Sequence, residues 1–327
     1  MNNLLPFKPP FYLRNCHIQS ALNSVGPRKL RGSILAKKMQ SETIFFTTDY
    51  GVTLKGVFDI SLNTEHNKNA VVMLIHGWEG SDKSAYMLTT TYKLLNDGYD
   101  VLRLNLRDHG ETQHLNKEIF NSTMTPEVAD CLQKFLNERH YPKRFLIGFS
   151  LGGNFSLRIA CDQGEQLGLN AVIAICPPVD PCHASKKLAQ SLFIYQKYFL
   201  YRWKKSLHKK IHHFPEYDFR SELNDAKTID EMNQKFIPRF TVFDNPISYF
   251  NAYALTGDRL KGLKIPAHLI ATKDDPIISY DDLKKINCPK HLNIELHPLG
   301  GHCGFIKNIK GESWIEFYLL GLLAKYI

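Results

Sequence analysis

The chain has 327 residues, of which 43% are hydrophobic and 12% aromatic, enough to bury one large α/β core with an insertion. No run reaches the about 18 apolar residues that a membrane-spanning helix needs. The formal net charge of +9 is spread along the chain without a nucleic-acid-binding motif, so we expect no nucleic-acid partner.

The seven cysteines are odd in number and scattered, and no C-x-x-C pair occurs among them. This pattern predicts neither a disulfide framework nor a structural zinc site, and it favours a reducing compartment. Residues 1–10 lack the basic start and the long apolar stretch of a signal peptide. We therefore expect a cytoplasmic protein.

Residues 42–60 alternate apolar and polar side chains around Gly51, which predicts an antiparallel β-hairpin. Apolar runs without alternation then predict strands buried on both faces, at 70–75, 101–106, 145–147, 171–175, 267–271 and 292–296. Helical patterns between them cover residues 84–97, 126–139, 152–164, 280–286 and 312–325. Strands that alternate with helices predict an α/β fold with a mostly parallel central sheet and helices on both faces.

Residues 178–262 interrupt this alternation, because the segment is rich in aromatic and basic residues and contains no buried-strand pattern. We predict a helical cap or lid there, inserted into a core formed by residues 1–177 and 263–327. Within it, apolar and aromatic residues repeat at four-residue spacing over residues 192–211. The repeat favours an amphipathic helix that packs on the body, and the alternative is a basic, aromatic surface that makes peripheral contact with a membrane.

The sequence Gly148-Phe149-Ser150-Leu151-Gly152 lies between a predicted strand and a predicted helix. In this context G-x-S-x-G is typical of a sharp turn that presents a serine hydroxyl at the carboxyl edge of a sheet. Glycines are needed there because a Cβ would clash with the neighbouring strand and helix. The helix behind the serine directs N–H groups toward developing negative charge. Ser150 is therefore the candidate nucleophile.

A serine nucleophile needs a base, and the base needs an acid that orients it. In hydrolases with this turn the chain order is serine, acid, histidine. His302 follows the last predicted strand in a glycine-rich loop and is the candidate base. Asp275 stands directly before Pro276, where the chain must turn, so we prefer it as the acid, and its neighbour Asp274 is the alternative.

An oxyanion hole needs a second N–H donor besides that of Leu151. The turn Gly77-Trp78 follows a predicted strand, and the N–H of Trp78 is the best candidate. We expect His76 to bond loop backbone rather than to take part in the chemistry. The loop at residues 107–109 is expected to be held by ion pairs and hydrogen bonds, and no further ligand lies at metal spacing from it. We therefore expect neither a metal nor a cofactor.

These motifs resemble the YheT-like branch of the α/β-hydrolase superfamily, which includes abhydrolase-domain lipid hydrolases. The resemblance rests on segments that run nearly end to end, namely residues 9–20 (with Ser20 where threonine is usual), 76–81, 148–153, 274–276 and 300–305. It implies an α/β-hydrolase fold with Ser150 as nucleophile, His302 as base and Asp275, or Asp274, as the acid. Residues 107–110 depart from the R-G-x-x-G pattern of that branch, so no substrate contacts are carried over there.

The residues predict a serine esterase whose substrate is a small-molecule or lipid-like ester, with an apolar acyl chain because the predicted cap is aromatic. Ser150 would attack the acyl carbonyl, His302 would accept its proton, and the N–H groups of Leu151 and Trp78 would hold the oxyanion. Two alternatives stay open: acyl transfer to an alcohol by the same triad, and a hydrolase-fold protein that binds a ligand without turnover. The sequence leaves the oligomeric state open.

Overall fold

In the computed structural model, which describes residues 6–63 and 65–327, eight strands form one sheet. The strands are β1 (Glu42–Thr47), β2 (Thr53–Asp59), β3 (Ala70–Ile75), β4 (Asp100–Leu104), β5 (Lys143–Phe149), β6 (Ala171–Ile175), β7 (Ala267–Thr272) and β8 (Leu292–His297). Their order across the sheet is β1-β2-β4-β3-β5-β6-β7-β8. Residues 1–5 lie outside the described residues. They belong to the segment 1–10, which lacks a signal-peptide pattern.

The strands are mostly parallel. Strands β1 and β2 pair antiparallel and form the predicted hairpin, and β2 pairs antiparallel with β4. All the other neighbouring pairs in the described sheet are parallel. Every residue of β3, β4, β6 and β7 is buried, which explains why these apolar runs show no alternation.

Helices cover both faces of the sheet. Outside the stretch between β6 and β7 they are α1 (Cys16–Leu22), α2 (Pro27–Ala36), α3 (Ala85–Asn96), α4 (Thr125–Glu138), α5 (Leu151–Gln163) and α11 (Trp314–Leu323). Along β3, Val71 and Met73 pack in one apolar cluster with α4 and α5, whereas Val72 and Leu74 pack in a second cluster with α3 and α11. The predicted fold class is therefore confirmed. The segment predicted as a helix at 280–286 is a 3₁₀-helix, Tyr280–Lys285.

Between β6 and β7 the described chain forms five helices: α6 (Pro181–Gln190), α7 (Phe193–His213), α8 (Arg220–Asp225), α9 (Ile229–Phe240) and α10 (Pro246–Ala252). The aromatic repeat lies on α7, where Leu207 and Ile211 are buried against residues of α8 and α9. The division into core and cap, and the lid role of residues 178–262, stay predictions.

The start of α7 carries exposed apolar side chains, because Leu192, Phe193 and Ile194 are 51%, 65% and 70% exposed. The peripheral membrane contact predicted for residues 192–211 stays a prediction, and these three side chains are its candidates. In the part of the chain that the structure describes, no helix is both long and apolar enough to cross a bilayer. The cytoplasmic location also stays a prediction.

A buried ion pair joins α7 to the loop after β4. The Nζ of Lys210 lies 2.7 Å from Oδ1 of Asp108, and the two side chains are 1% and 7% exposed. Lys210 also donates to the carbonyl oxygen of Asn116 at 2.5 Å. In the same loop, Arg107 pairs with the buried carboxylate of Glu127. The loop is therefore held by ion pairs and hydrogen bonds, as the sequence predicts.

Replacing Lys210 with methionine should destabilise the protein strongly. Lys210→Met leaves the Asp108 carboxylate buried without its cation, and we expect the free energy of unfolding to fall by about 3–5 kcal/mol. Lys209→Met is the matched control, because Lys209 pairs with the exposed side chain of Glu111, and such pairs contribute about 1 kcal/mol or less. Urea denaturation measures both variants, and equal losses in the two would contradict this assignment.

Candidate active site

Ser150 lies at the turn between β5 and α5 with a left-handed backbone, φ = +52°. A Cβ on Gly148 would lie 2.0 Å from the carbonyl oxygen of Gly152, and a Cβ on Gly152 would lie 2.3 Å from that of Ile75. These obstacles are backbone atoms that cannot rotate away, so both positions require glycine. The local sequence therefore enforces a close approach of α5 to the sheet and lifts the serine above the end of β5.

The structure brings Ser150, His302 and Asp275 together. The Nε2 of His302 lies 2.9 Å from Oγ of Ser150, and its Nδ1 lies 2.7 Å from Oδ2 of Asp275. The other oxygen of Asp275 accepts from the N–H groups of Ile277 and Ile278, both at 2.8 Å. Because an ionised carboxylate only accepts hydrogen bonds, the Nδ1 that faces Asp275 keeps its proton when the ring is neutral, and in that form Nε2 can accept one from Ser150.

The neighbouring carboxylate, Asp274, has a different position. Its two oxygens accept from the N–H groups of Gly300 and Gly301, at 3.2 and 2.9 Å. Asp274 therefore braces the backbone of the histidine loop, whereas Asp275 contacts the ring of His302. Asp275, which the sequence analysis preferred over Asp274, is thus the carboxylate that contacts the His302 ring.

Charge around His302 favours its protonated form. Burial alone would lower the pKa of the ring, but the adjacent Asp275 carboxylate, with Cys303, outweighs it and raises the pKa of His302 to about 9. As the pH rises through about 9, the charged ring loses its second proton, and the neutral ring can then accept one from Ser150.

Two further residues hold these loops and were not found from the sequence. The Oγ of Ser20 in α1 accepts from the backbone N–H of His302 at 2.8 Å. Lys187 in α6 donates to the carbonyl oxygens of Asp275 and Ile278, at 2.8 and 3.0 Å. Ser20 lies in the amino-terminal segment that resembles the YheT-like branch, which was a usable signal. For Lys187 the sequence gives no such signal, because a single lysine on a helix is common.

The turn after β3 passes beside the serine. A Cβ on Gly77 would lie 3.1 Å from the Cβ of Ser150, so this position is close to the site. The N–H of Gly77 donates to the hydroxyl of Tyr86 at 3.0 Å. Among the hydrogen bonds of the described residues, the N–H groups of Trp78 and Leu151 donate to no protein acceptor, which leaves both available to a ligand.

His76, at the start of that turn, is fully buried and bonds only backbone in the described structure. Its Nδ1 lies 2.8 Å from the carbonyl oxygen of Gly77, and its Nε2 accepts from the N–H of Leu106 at 3.1 Å. Burial lowers the pKa of His76 to about 4. His76 is therefore a neutral, structural histidine, as expected.

Ser150 and His302 open into a cavity of about 470 Å³. Most of its wall is apolar and comes from the body as well as from the helices between β6 and β7. Its larger side chains include Trp78, Phe120, Leu188, Trp203, Phe236 and Phe250. The indole of Trp78 stacks on Phe199 of α7, with ring centroids 5.3 Å apart and planes 6° apart. The cavity therefore suits an apolar ligand that reaches Ser150.

The fold and the site together define the class of protein. A family model described as the alpha/beta hydrolase fold matches residues 70–309, and the chain belongs to this family. It is similar to "Putative esterase YheT" of Escherichia coli (strain K12), with 22% identity over 98% of this chain and 94% of that protein. The resemblance to the YheT-like branch is thereby confirmed.

Two further proteins extend the comparison. The chain is 20% identical to "Medium-chain fatty acid ethyl ester synthase/esterase 2" of Saccharomyces cerevisiae, over 78% of this chain and 62% of that protein. It superposes on the structure of the Pyrococcus furiosus esterase Pf2001 with a TM-score of 0.59 and 15% identity, covering 90% of this chain and 95% of that one. The superposition shows a shared fold. The chain is thus an α/β hydrolase with esterase-like relatives.

The contact between Asp275 and His302 makes a prediction about proton affinity. Asp275→Asn removes the negative charge beside the ring, so we expect the pKa of His302 to fall well below 9. Asp274→Asn is the matched control, because Asp274 bonds loop backbone and should leave this pKa much closer to that of the wild type. NMR titration of the His302 ring in each variant measures the change. A larger fall in Asp274→Asn would reassign the acid.

Proposed function

We propose that the chain hydrolyses carboxylic esters through a triad of Ser150, His302 and Asp275. The observation that carries the proposal is the pair of contacts on the His302 ring, 2.9 Å to Ser150 and 2.7 Å to Asp275. As Ser150 Oγ attacks the acyl carbon, its proton passes to Nε2, and the leaving alcohol then takes that proton. Water repeats the two steps on the acyl-enzyme and releases the acid.

In this proposal, the N–H groups of Leu151 and Trp78 hold the oxygen that becomes negative. Leu151 is the first residue of α5, where the helix dipole adds positive potential. Gly77 leaves room for the substrate beside Ser150, since it has no side chain. Removing one such donor in other hydrolases lowers kcat by about 10²–10³-fold. An ester is preferred to an amide because its alcohol leaves with less help.

A fluorophosphonate probe tests the nucleophile. We expect the wild type to be labelled and Ser150→Ala to stay unlabelled, because only an activated serine attacks this phosphorus. Ser185→Ala is the matched control, because Ser185 also lines the cavity and should not affect labelling. Circular dichroism checks that each variant is folded. A folded wild type that stays unlabelled would favour the alternative of a binding protein without turnover.

The apolar lining of the cavity favours a substrate whose acyl chain has several methylene groups. Each buried methylene contributes about 0.8 kcal/mol, which corresponds to an increase of up to about 4-fold in kcat/KM. Acyl transfer is the second candidate function, because the yeast relative is named for both synthesis and cleavage of medium-chain ethyl esters. In that reaction an alcohol replaces water in the second half of the cycle.

A series of p-nitrophenyl esters of increasing acyl length distinguishes these outcomes. We expect kcat/KM to rise with each added methylene until the cavity is filled, and then to level off. Repeating the assay with added ethanol and analysing the products measures how the acyl group divides between water and alcohol. Predominant ethyl ester formation would favour the acyltransferase, and a preference for acetyl esters would contradict an apolar acyl site.

A further inference from the structure

Two buried cysteines meet directly beside the triad. Cys176 follows β6 and Cys303 follows His302, and the two residues are 2% and 1% exposed. Their Sγ atoms and one ring nitrogen of His302 all lie within 4.8 Å of one another. The sequence predicts no disulfide framework because the seven cysteines are odd in number and scattered. The fold brings them together, since both follow strands that end at the same edge of the sheet.

The backbone connects this pair to Ser150. The N–H of Cys176 donates to the carbonyl oxygen of Ile270 at 2.7 Å, which holds the backbone of Cys176 against β7. The thiol of Cys303 donates to the carbonyl oxygen of Ile175 at 3.5 Å. The same carbonyl accepts from the N–H of Ser150 at 2.8 Å. The position of the Cys303 thiol is therefore tied to the strand end that also holds the serine.

We propose that Cys176 and Cys303 form a reversible disulfide when a hydroperoxide enters the cavity, and that this bond switches the active site off. Formation of the disulfide does not depend on the proposed ester hydrolysis, whereas the loss of activity rests on that proposed function. Cys303 lines the cavity, so we expect a small peroxide that reaches Ser150 to react with this sulfur as well.

The reaction proceeds in two balanced steps. The Cys303 thiolate attacks one peroxide oxygen, so that an S–O bond forms, the O–O bond breaks, and the alkoxide (hydroxide, for hydrogen peroxide) takes a proton and leaves. The Cys176 thiol then attacks the sulfur of this sulfenic acid, forms the S–S bond and releases water. Two thiols lose two electrons in total, and these electrons reduce the peroxide.

The surroundings assign the two roles. Burial would raise the pKa of Cys303, but a hydrogen bond from the Cys176 thiol and the positive charge of His302 lower it. The hydrogen bond with Cys303, together with burial, raises the pKa of Cys176 well above its usual value. Cys303 is thus the attacking thiolate and Cys176 the resolving thiol, since the thiolate is the nucleophilic form.

We expect bond formation to move the histidine loop. The sulfur atoms, within 4.8 Å of each other in the reduced protein, approach to about 2.05 Å in a disulfide. Cys303 then leaves the carbonyl oxygen of Ile175 and pulls on its neighbour His302, whose Nε2 is placed for Ser150. A misplacement of about 1 Å in a catalytic group lowers the rate about 10²-fold.

The test oxidises the full-length protein with hydrogen peroxide in the presence of EDTA, which removes metal ions. Peptide mapping without reduction measures the Cys176–Cys303 cross-link, and ester hydrolysis is measured in the same samples. We expect hydrolysis to fall in proportion to the cross-linked fraction, reaching about a 10²-fold loss when the cross-link is complete. Dithiothreitol should break the cross-link and restore the activity. Cys288→Ser is the matched control, because Cys288 is exposed and its loss should leave this response unchanged.

A second variant tests the order of the steps. Cys176→Ser keeps a small polar side chain but cannot form the bond, so Cys303 should stop at a sulfenic acid that dimedone traps. Cys176→Ala serves the same purpose if the serine variant does not fold by circular dichroism. Dimedone should label Cys303 much less in the wild type, where Cys176 resolves the sulfenic acid.

Two results would overturn the inference: a complete cross-link with unchanged hydrolysis, or no cross-link after Cys288 is fully oxidised. The peptide map distinguishes these from a failure of the proposed function. If the protein neither hydrolyses esters nor reacts with fluorophosphonate at Ser150, the switching role fails together with the triad, while the map still decides whether the bond forms.

Discussion

The close approach of helix α5 to the sheet at Ser150 is the constraint on which the site depends. Any side chain on Gly148 or Gly152 would meet backbone oxygens at 2.0 to 2.3 Å, so the turn exists only with glycine there. The turn places the serine above the carboxyl edge of the parallel strands. The loops after β3 and β8 end at the same edge, and they carry Trp78 and His302 to the serine. The site is thus a consequence of strand direction and of one crowded turn.

Two buried histidines show how their partners at this edge set the proton affinity of the ring. His76 and His302 both lose water, which disfavours a charged ring in each case. His76 has only backbone partners, so burial decides and its pKa falls to about 4. His302 faces the Asp275 carboxylate, which outweighs burial and raises its pKa to about 9. Burial alone therefore makes a structural histidine, and the carboxylate makes one that can hold a proton.

The sequence predicts those features of the molecule that local chemistry determines. Each of the six apolar runs becomes a strand. Burial on both faces was wrongly predicted for residues 292–296, because β8 lies at the edge of the sheet and its middle residues are exposed or half-buried. The order of motifs selects Ser150 and His302 as candidates, and Pro276 gives only a preference for Asp275 over Asp274, since both acids precede the same turn. Only the backbone direction after β7 turns one carboxylate to the ring and the other to the loop. Ser20 holds the backbone N–H of His302 although the two residues are far apart in the chain. The spacing of motifs along the sequence does not reveal such a contact.

The turn after β3 also links the apolar cavity to the oxyanion position. Among the hydrogen bonds of the described residues the N–H of Trp78 has no protein acceptor, while its ring stacks on Phe199 and contacts Trp203, both on α7. Arg202 of the same helix donates to the carbonyl oxygen of Glu79 at 2.6 Å. Helix α7 therefore contacts both the side chain and the backbone of this turn. Because residues of α7 also line the cavity, one helix borders the space for a ligand and packs against the turn that carries the proposed oxyanion donor.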